Sequence, residues 1–252
     1  MNEAARWRIG LVVGLIALLE IATRLAWINP VSFIPPSRMA VSAWDILTSG
    51  QFTVDIVQTL GSALAAVVLA VIVGFVGGVL LYRLPRLRRV LDPLLLSYYA
   101  VPVFVLYPIL IVIFGLNRWP LIGIGFLFAV VAMAVNTLNG LERVPRVLLR
   151  TARVCRLSTL DEIRLITLPA SLPFIFTGIK LTVVYAFIAV VAGEFVLSGS
   201  GFGYQIAFAY NAFDNPTMYG LMVLMLVFVT TINGLLRQAE RRLYRCIRRE
   251  SA

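Results

Sequence analysis

Apolar residues in this chain gather into long continuous runs. Ile9 to Trp27, Leu60 to Leu81, Leu94 to Phe114, Pro120 to Leu138 and Pro173 to Val196 are dominated by aliphatic and aromatic side chains, and Tyr219 to Leu236 makes a sixth. A hydrocarbon core of about 30 Å takes about 20 helical residues to cross, so each run has the length of a membrane span. No stretch of about ten residues alternates polar with apolar, which argues for a bundle of helices over a barrel. Between the first two runs, Asn29-Pro30 to Pro35-Pro36 is a proline-broken connector that cannot continue a helix, and Met39 to Leu60 reads as an amphipathic approach to the second run. The pattern predicts an all-α integral membrane protein, with residues 1–252 forming a single transmembrane domain.

Composition agrees with this pattern. Sixty per cent of the residues are hydrophobic and 13% charged, against about a quarter charged in soluble domains. A net charge of +10 raises the question of nucleic acid, and the placement of that charge answers it. Arg6 and Arg8 precede the first run; Arg83, Arg86, Arg88 and Arg89 lie between the second and third; six arginines from Arg143 to Arg164 lie between the fourth and fifth; six from Arg237 to Arg249 follow the last. Eighteen of the 22 basic residues thus fall on one side of a six-span topology, leaving Arg24, Arg38 and Arg118 for the other, with Lys180 inside a span. The positive-inside rule puts the N- and C-termini in the cytoplasm. Basicity here follows topology; membrane lipid is the expected contact and nucleic acid is not.

Cys155 and Cys246 both fall on the cytoplasmic side, where thiols stay reduced, and their wide separation gives no metal-ligand spacing. The chain contains no histidine, which removes most zinc and haem chemistry. The first run exceeds the h-region of an ordinary signal peptide and no clean small-x-small site follows, so it is expected to be retained.

The most informative stretch runs from Arg143 to Gly178. Arg143, Arg146, Arg150 and Arg153 share one face of a helix, with Leu148, Ala152 and Cys155 roughly opposite. Such a helix either rests on anionic lipid or docks on a second protein. Ala152, then Ile166-Thr167-Leu168-Pro169, then Leu172-Pro173 and Gly178 resemble the cytoplasmic loop of ABC importer permeases, in which a glycine is followed, after nine intervening residues, by Ile-x-Leu-Pro. The likeness extends along the chain. Asn29-Pro30-Val31-Ser32-Phe33-Ile34-Pro35-Pro36 is similar to the segment after the first span in the nitrate, sulfonate and taurine group of permeases. Asp92-Pro93-Leu94-Leu95 and Pro108 to Leu116 are similar to the ends of its third span, and Gly193-Glu194-Phe195 to Gly201-Phe202-Gly203 to the tail of its fifth.

The resemblance implies a six-helix type I ABC importer transmembrane fold, with the segment 143–169 carrying the coupling helix. Ala152, Arg153, Val154, Cys155, Arg156, Leu157 and Ser158 would meet the ATPase. It implies as partners a pair of ATPase subunits, a second permease subunit and an external solute-binding protein that delivers a small anionic solute. ATP and Mg would be bound by those ATPase subunits, and no cofactor by this chain. Two positions depart from the family: Arg150 stands at its glutamate and Arg156 at its glycine, so the turn there is expected to be reshaped.

Polar residues inside the spans are the other site candidates, because a charge at mid-membrane costs about 2.5 to 3.5 kcal/mol on the insertion scale. Glu20 and Arg24, four residues apart, are expected to pair. Lys180 lies about two turns into the fifth span, where it either snorkels or touches solute. Glu194 lies about 21 Å further along that helix and either lines the path or caps the bundle. Tyr98, Tyr99, Pro102 and Tyr107 bring aromatic groups and a kink to the third span, suited to a gate or to simple packing. Gly74 and Gly78 form a GxxxG step that predicts close helix packing. No phosphate-binding Gly-x-x-x-x-Gly-Lys-Ser/Thr loop, HExxH motif or pair of intramembrane aspartates occurs, so neither nucleotide binding nor intramembrane catalysis is expected. A stand-alone channel or secondary carrier would carry an inverted repeat, and none is visible; a membrane scaffold is the remaining non-transport reading.

Overall fold

The computed structural model describes residues 3–29 and 33–250, and every regular element among them is helical. In chain order these are α1 (Glu3–Arg24), α2 (Pro36–Ser49), α3 (Thr53–Arg83), α4 (Pro85–Ser97), α5 (Tyr107–Phe114), α6 (Trp119–Glu142), α7 (Arg146–Val154), α8 (Thr159–Glu162), α9 (Leu168–Leu197), α10 (Phe202–Asn211) and α11 (Asn215–Glu250). Four helical stretches are long and apolar enough to cross a membrane: Thr53–Arg83, Trp119–Glu142, Ile163–Asn211 and Asn215–Arg242. They contain the second, fourth, fifth and sixth expected spans. Most of the first lies in α1, which stops at Arg24, three residues short of the expected end at Trp27; Arg6 and Arg8 at one end and Glu20 and Arg24 at the other bound its apolar stretch. The Asn29 to Pro36 connector falls partly outside the described residues.

The third expected span, Leu94 to Phe114, is not one helix. After α4 the chain passes through two 3₁₀ turns, Tyr98–Ala100 and Val103–Leu106, before α5 begins. Proline chemistry accounts for the break. Val101, held at ψ 122°, takes the extended conformation that the Pro102 ring imposes on its predecessor, and Pro102 itself has ψ 103°. Gly115, at φ +78°, then ends α5, its N–H donating to the Ile111 carbonyl at 2.7 Å.

The chain divides into two compact units. One contains Thr59–Gly193 with the residues from Ile232 on. Its centre is α6, whose Ile124, Ala129, Met133 and Thr137 are fully buried. Glycines set how closely its neighbours approach. A Cβ at Gly74 would lie 2.6 Å from the Met133 Cβ, and one at Gly78 2.6 Å from the Ala134 carbonyl, so the α3 glycine step packs backbone to backbone on α6 as its spacing predicts. Against α9, Gly140 of α6 admits Phe174 and Ser171, while Gly178 of α9 admits Asn136 and Met133.

The other unit contains residues up to Gln58 with Glu194–Thr231. Its core joins Ala43 and Phe52 to Phe202, Ile206, Ala209, Met218, Leu221 and Leu224. Gly220 of α11 lies against Ile46 and Ser42 of α2, and Phe33 meets Tyr219 edge-on at 5.2 Å. Glu20 and Arg24 pair as expected, at 2.6 Å. Glu20 also accepts hydrogen bonds from the N–H and hydroxyl of Ser37, so it satisfies a free N–H in the first turn of α2.

Candidate functional site

A helix forms over Arg146–Val154 and carries Arg146, Arg150 and Arg153, whereas Arg143, expected on the same helix, caps α6, and Cys155 falls just past its end. Its end carries the departure noted at position 156. Arg156 adopts φ +51°, the left-handed conformation that a glycine takes without steric cost. The Leu157 N–H donates to the Ala152 carbonyl at 3.0 Å and the Cys155 N–H to Thr151 at 2.9 Å, so the turn closes as a glycine-type helix stop built around an arginine. The turn therefore keeps the geometry a glycine would give it, and the side chain is accommodated by strain. Of the segment 152–158, Ala152 is buried, Leu157 is half-buried, and Val154, Cys155, Arg156 and Ser158 are exposed; the Arg153 side chain lies outside those described. Val154 is 83% exposed, unusual for a valine at the end of a charged helix.

Ser158 then starts the next helical stretch. Its hydroxyl accepts from the Asp161 N–H at 3.2 Å and lies 2.6 Å from the Asp161 carboxylate, a serine cap with its acidic partner three residues on. The chain continues through a π-helical turn, Ile163–Thr167, in which Leu168 donates five residues back to Ile163. Pro169, which has no N–H to give, follows just after the looser turn, and Pro173 lies one turn further on, inside α9. Only the end of the segment expected at 143–169, from Thr159 on, runs without a break into the span expected to begin at Pro173.

Two contacts pin the start of this segment. The Arg143 guanidinium lies 4.9 Å from the centre of the Phe174 ring. Immediately before it, Glu142 closes α6 and receives both terminal nitrogens of Arg88 from α4, one of them at 3.2 Å. The Nε of Arg88 reaches Asp92 at 3.3 Å. Hydrogen bonding to Glu142 pushes the Arg88 guanidinium up from its already high range, so it stays cationic at any working pH.

Beside this cluster lies an open cavity of about 490 Å³ between α4, α6 and α9. Arg88, Asp92, Asn136, Asn139 and Tyr185 supply its polar lining, and Leu95, Val131, Val135, Leu138 and Leu181 most of the rest. Tyr185 is held edge-on by Phe128 at 5.6 Å. Asn136 and Asn139 are three residues apart on a span. The sequence reading passed them over, though uncharged amides within an apolar helix are a usable signal for such a lining. The Arg88–Glu142 pair joins residues 54 positions apart and has no local signature.

The residues singled out from sequence are dispersed. Tyr98 donates its hydroxyl to the Leu127 carbonyl at 2.7 Å, Tyr107 is buried, and Pro102 marks the exposed bend; the Tyr99 side chain lies outside those described. None of Tyr98, Pro102, Tyr107 and Lys180 is among the residues lining the α4–α6–α9 cavity. Lys180 instead pairs with Glu240 of α11 at 2.7 Å. Glu194, fully buried, accepts from the N–H of Gly203 at 3.0 Å in the first turn of α10. Gly201 enters that turn at φ +101°, and its N–H donates to Asp55 at 3.0 Å, while Gln205 reaches the second Asp55 oxygen at 3.1 Å. Glu194 and Asp55 thus both accept backbone N–H groups at the start of α10.

Comparison with known proteins gives a consistent result. Residues 66–249 match the family described as "Binding-protein-dependent transport system inner membrane component". A protein of Brucella melitensis biotype 1 named "Probable ABC transporter permease protein" is 30% identical over 210 residues, covering 82% of this chain and 85% of that one. The nitrate import permease protein NrtB of Leptolyngbya laminosa is 28% identical over 80% of this chain and 74% of its own length. The bicarbonate transport system permease protein CmpB of Synechococcus elongatus is 33% identical over 57% of this chain and 52% of its own. Among solved structures, a chain of the MetNI methionine ABC transporter in an inward-facing conformation superposes with a TM-score of 0.64 at 22% identity, over 78% of this chain and 96% of that chain.

Proposed function

We propose, since this chain belongs to the family of inner-membrane components of binding-protein-dependent transport systems, that it contributes one of two permease subunits to an ATP-driven importer and is moved through the segment 152–158. The family makes it a multi-pass membrane permease with a type I importer fold and no catalytic activity of its own, working with an ATPase and a solute-binding protein. A stand-alone channel or secondary carrier is not favoured by that membership.

The observation that carries the coupling role is the state of residues 152–158. A short helix ends in a defined turn, presents the exposed Val154 and Cys155, and is tied at its start through Arg143 to α9 and through Glu142 to α4. A push on the turn is transmitted to two helices that line the cavity. In the cycle this supports, closure of the ATPase pair on bound ATP and Mg moves α7, and the helices around the cavity change which side of the membrane they open to. The arginine distribution supports cytoplasmic termini in an inner membrane, which puts α7 on the ATPase side.

For the solute, the NrtB and CmpB relatives support a small inorganic or organic anion. The cavity lining is no dedicated anion trap, because Arg88 is already matched by two carboxylates. Selection by the external protein, with a weakly selective conduit here, fits that lining. The decisive experiment is purification of the assembled complex, identification of its chains by mass spectrometry, and measurement of ATP hydrolysis in proteoliposomes with and without the binding protein loaded with nitrate, bicarbonate or taurine. Stimulated hydrolysis with uptake is expected; a chain that purifies without any ATPase, or transports without one, overturns the proposal.

A further inference from the structure

We propose that Arg88 and Glu142 form a latch that holds the permease in its resting conformation and must open when α7 is moved, so that these two side chains set the coupling between ATP hydrolysis and transport. The inference rests on the reading of residues 152–158 as the ATPase contact.

Three observations converge on it. The pair is two-pronged: both terminal nitrogens of the guanidinium meet the two Glu142 oxygens, the geometry that makes an arginine–carboxylate contact directional. Its position is mechanical. Glu142 is the last residue of α6, and only three residues separate it from the first residue of α7, so displacement of α7 acts almost directly on this carboxylate. On the other side, Arg88 lies on α4, one turn before Asp92, and both line the cavity at its edge. The latch therefore joins the moving segment to a wall of the space that solute would cross.

Asp92 gives the arginine somewhere to stay when the latch opens. With its Nε already 3.3 Å from Asp92, Arg88 keeps a carboxylate partner after Glu142 departs, so opening does not strand a cation at the cavity edge. Both partners are about one-third exposed, which leaves the pair weak enough for a conformational change to break. A latch of this kind favours one conformation without blocking the other.

The test uses the complete complex in proteoliposomes. Glu142→Gln preserves helix and volume but removes the ion pair, and Arg88→Ala removes it from the other side. Both are expected to raise ATP hydrolysis in the absence of binding protein by about threefold, the factor appropriate to a partly exposed ion pair, and to lower the solute moved per ATP. Exchange of the charges, Arg88→Glu with Glu142→Arg, carried together with Asp92→Asn so that the relocated carboxylate has no like-charged neighbour, should return both quantities to within about twofold of parent, since attraction rather than a particular side chain does the holding. A structural role would give single variants with altered yield or melting and unaltered solute per ATP. Parental basal hydrolysis and parental solute per ATP in both single variants, or a charge exchange as uncoupled as they are, overturns the latch. Cross-linking of the exposed Cys155 to the ATPase subunit separates the two readings. Failure of that cross-link in the parent complex defeats the docking assignment, whereas a successful cross-link with parent-like single variants defeats the latch alone.

Discussion

The Nζ of Lys180 on α9 lies 2.7 Å from the Oε1 of Glu240 on α11, joining residues sixty positions apart in the chain. The only lysine of the protein is thereby committed to a helix–helix contact. Lys180→Met leaves the Glu240 carboxylate, about one-fifth exposed, without its cation, and is expected to cost about 1 kcal/mol of stability. Melting of the purified complex reads this loss, and adding Glu240→Gln should recover most of it. Solute uptake by Lys180→Met should stay close to parent; abolished uptake with ATP hydrolysis intact would make the lysine a solute contact.

Glu194 and Gly201 are expected to be sensitive for different reasons. Glu194→Ala removes a fully buried carboxyl group from the N–H of Gly203, at about 1 to 3 kcal/mol for the donor left unsatisfied and the space left behind. Gly201→Ala forces a side chain into φ +101°, ψ 169° and places its Cβ 2.5 Å from the Glu194 carboxyl carbon; the backbone term alone is about 1 to 3 kcal/mol. Reduced yield and melting temperature of folded protein in detergent would register both, and a parent-like Gly201→Ala would contradict the geometry of the turn.

Arg156→Gly should relieve the left-handed strain at the end of α7 by about 1 kcal/mol. Arg156→Val, β-branched at the same φ, should do the reverse and fray the turn. Hydrogen exchange at the Leu157 amide, which donates to Ala152, is the direct measure: slower in the glycine variant, faster in the valine variant. The opposite order would show that the arginine side chain makes a compensating contact once the ATPase is bound.

Val154→Asp places a charge on a surface that is open in the isolated chain. Folding should be unaffected, while stimulated ATP hydrolysis should fall by tenfold or more, an order-of-magnitude expectation for an unpaired charge buried at an interface. Unchanged stimulation would leave α7 as a lipid-resting helix.

Topology is accessible through the thiols. Cys155 is free and exposed, and the positive-inside assignment places it with Cys246 in the cytoplasm. A membrane-impermeant maleimide should modify neither in sealed, right-side-out cells and should modify Cys155 after permeabilisation. Labelling of Cys155 before permeabilisation would invert the assignment.

Features fixed by neighbouring residues were legible from the chain alone. The Glu20–Arg24 pair, the α3 glycine step and the arginine face of α7 all depend on spacings of three or four residues, which the helix converts directly into proximity. At Pro102 a kink was legible, but its spread into two 3₁₀ turns over Tyr98–Leu106 was not, because hydropathy does not register how far a proline disturbs the backbone around it. The partners of Arg88 and Lys180 were hidden for another reason. Glu142 ends α6 and Glu240 lies within α11, both beside arginine-rich sequence, and only the packing of α4 on α6 and of α9 on α11 brings the opposite charges together.

The burial of Glu194 bears on how the protein is made. An acidic residue near the end of an apolar helix opposes transfer into lipid, and its N–H partner, Gly203, follows nine residues later in the same stretch of nascent chain. The carboxylate need not await assembly of the bundle to be satisfied. What it requires is that the chain from Glu194 to Gly203 be released from the insertion machinery together, so a translational pause or an engineered insertion between Leu197 and Phe202 should harm biogenesis more than one of equal size after Asn211.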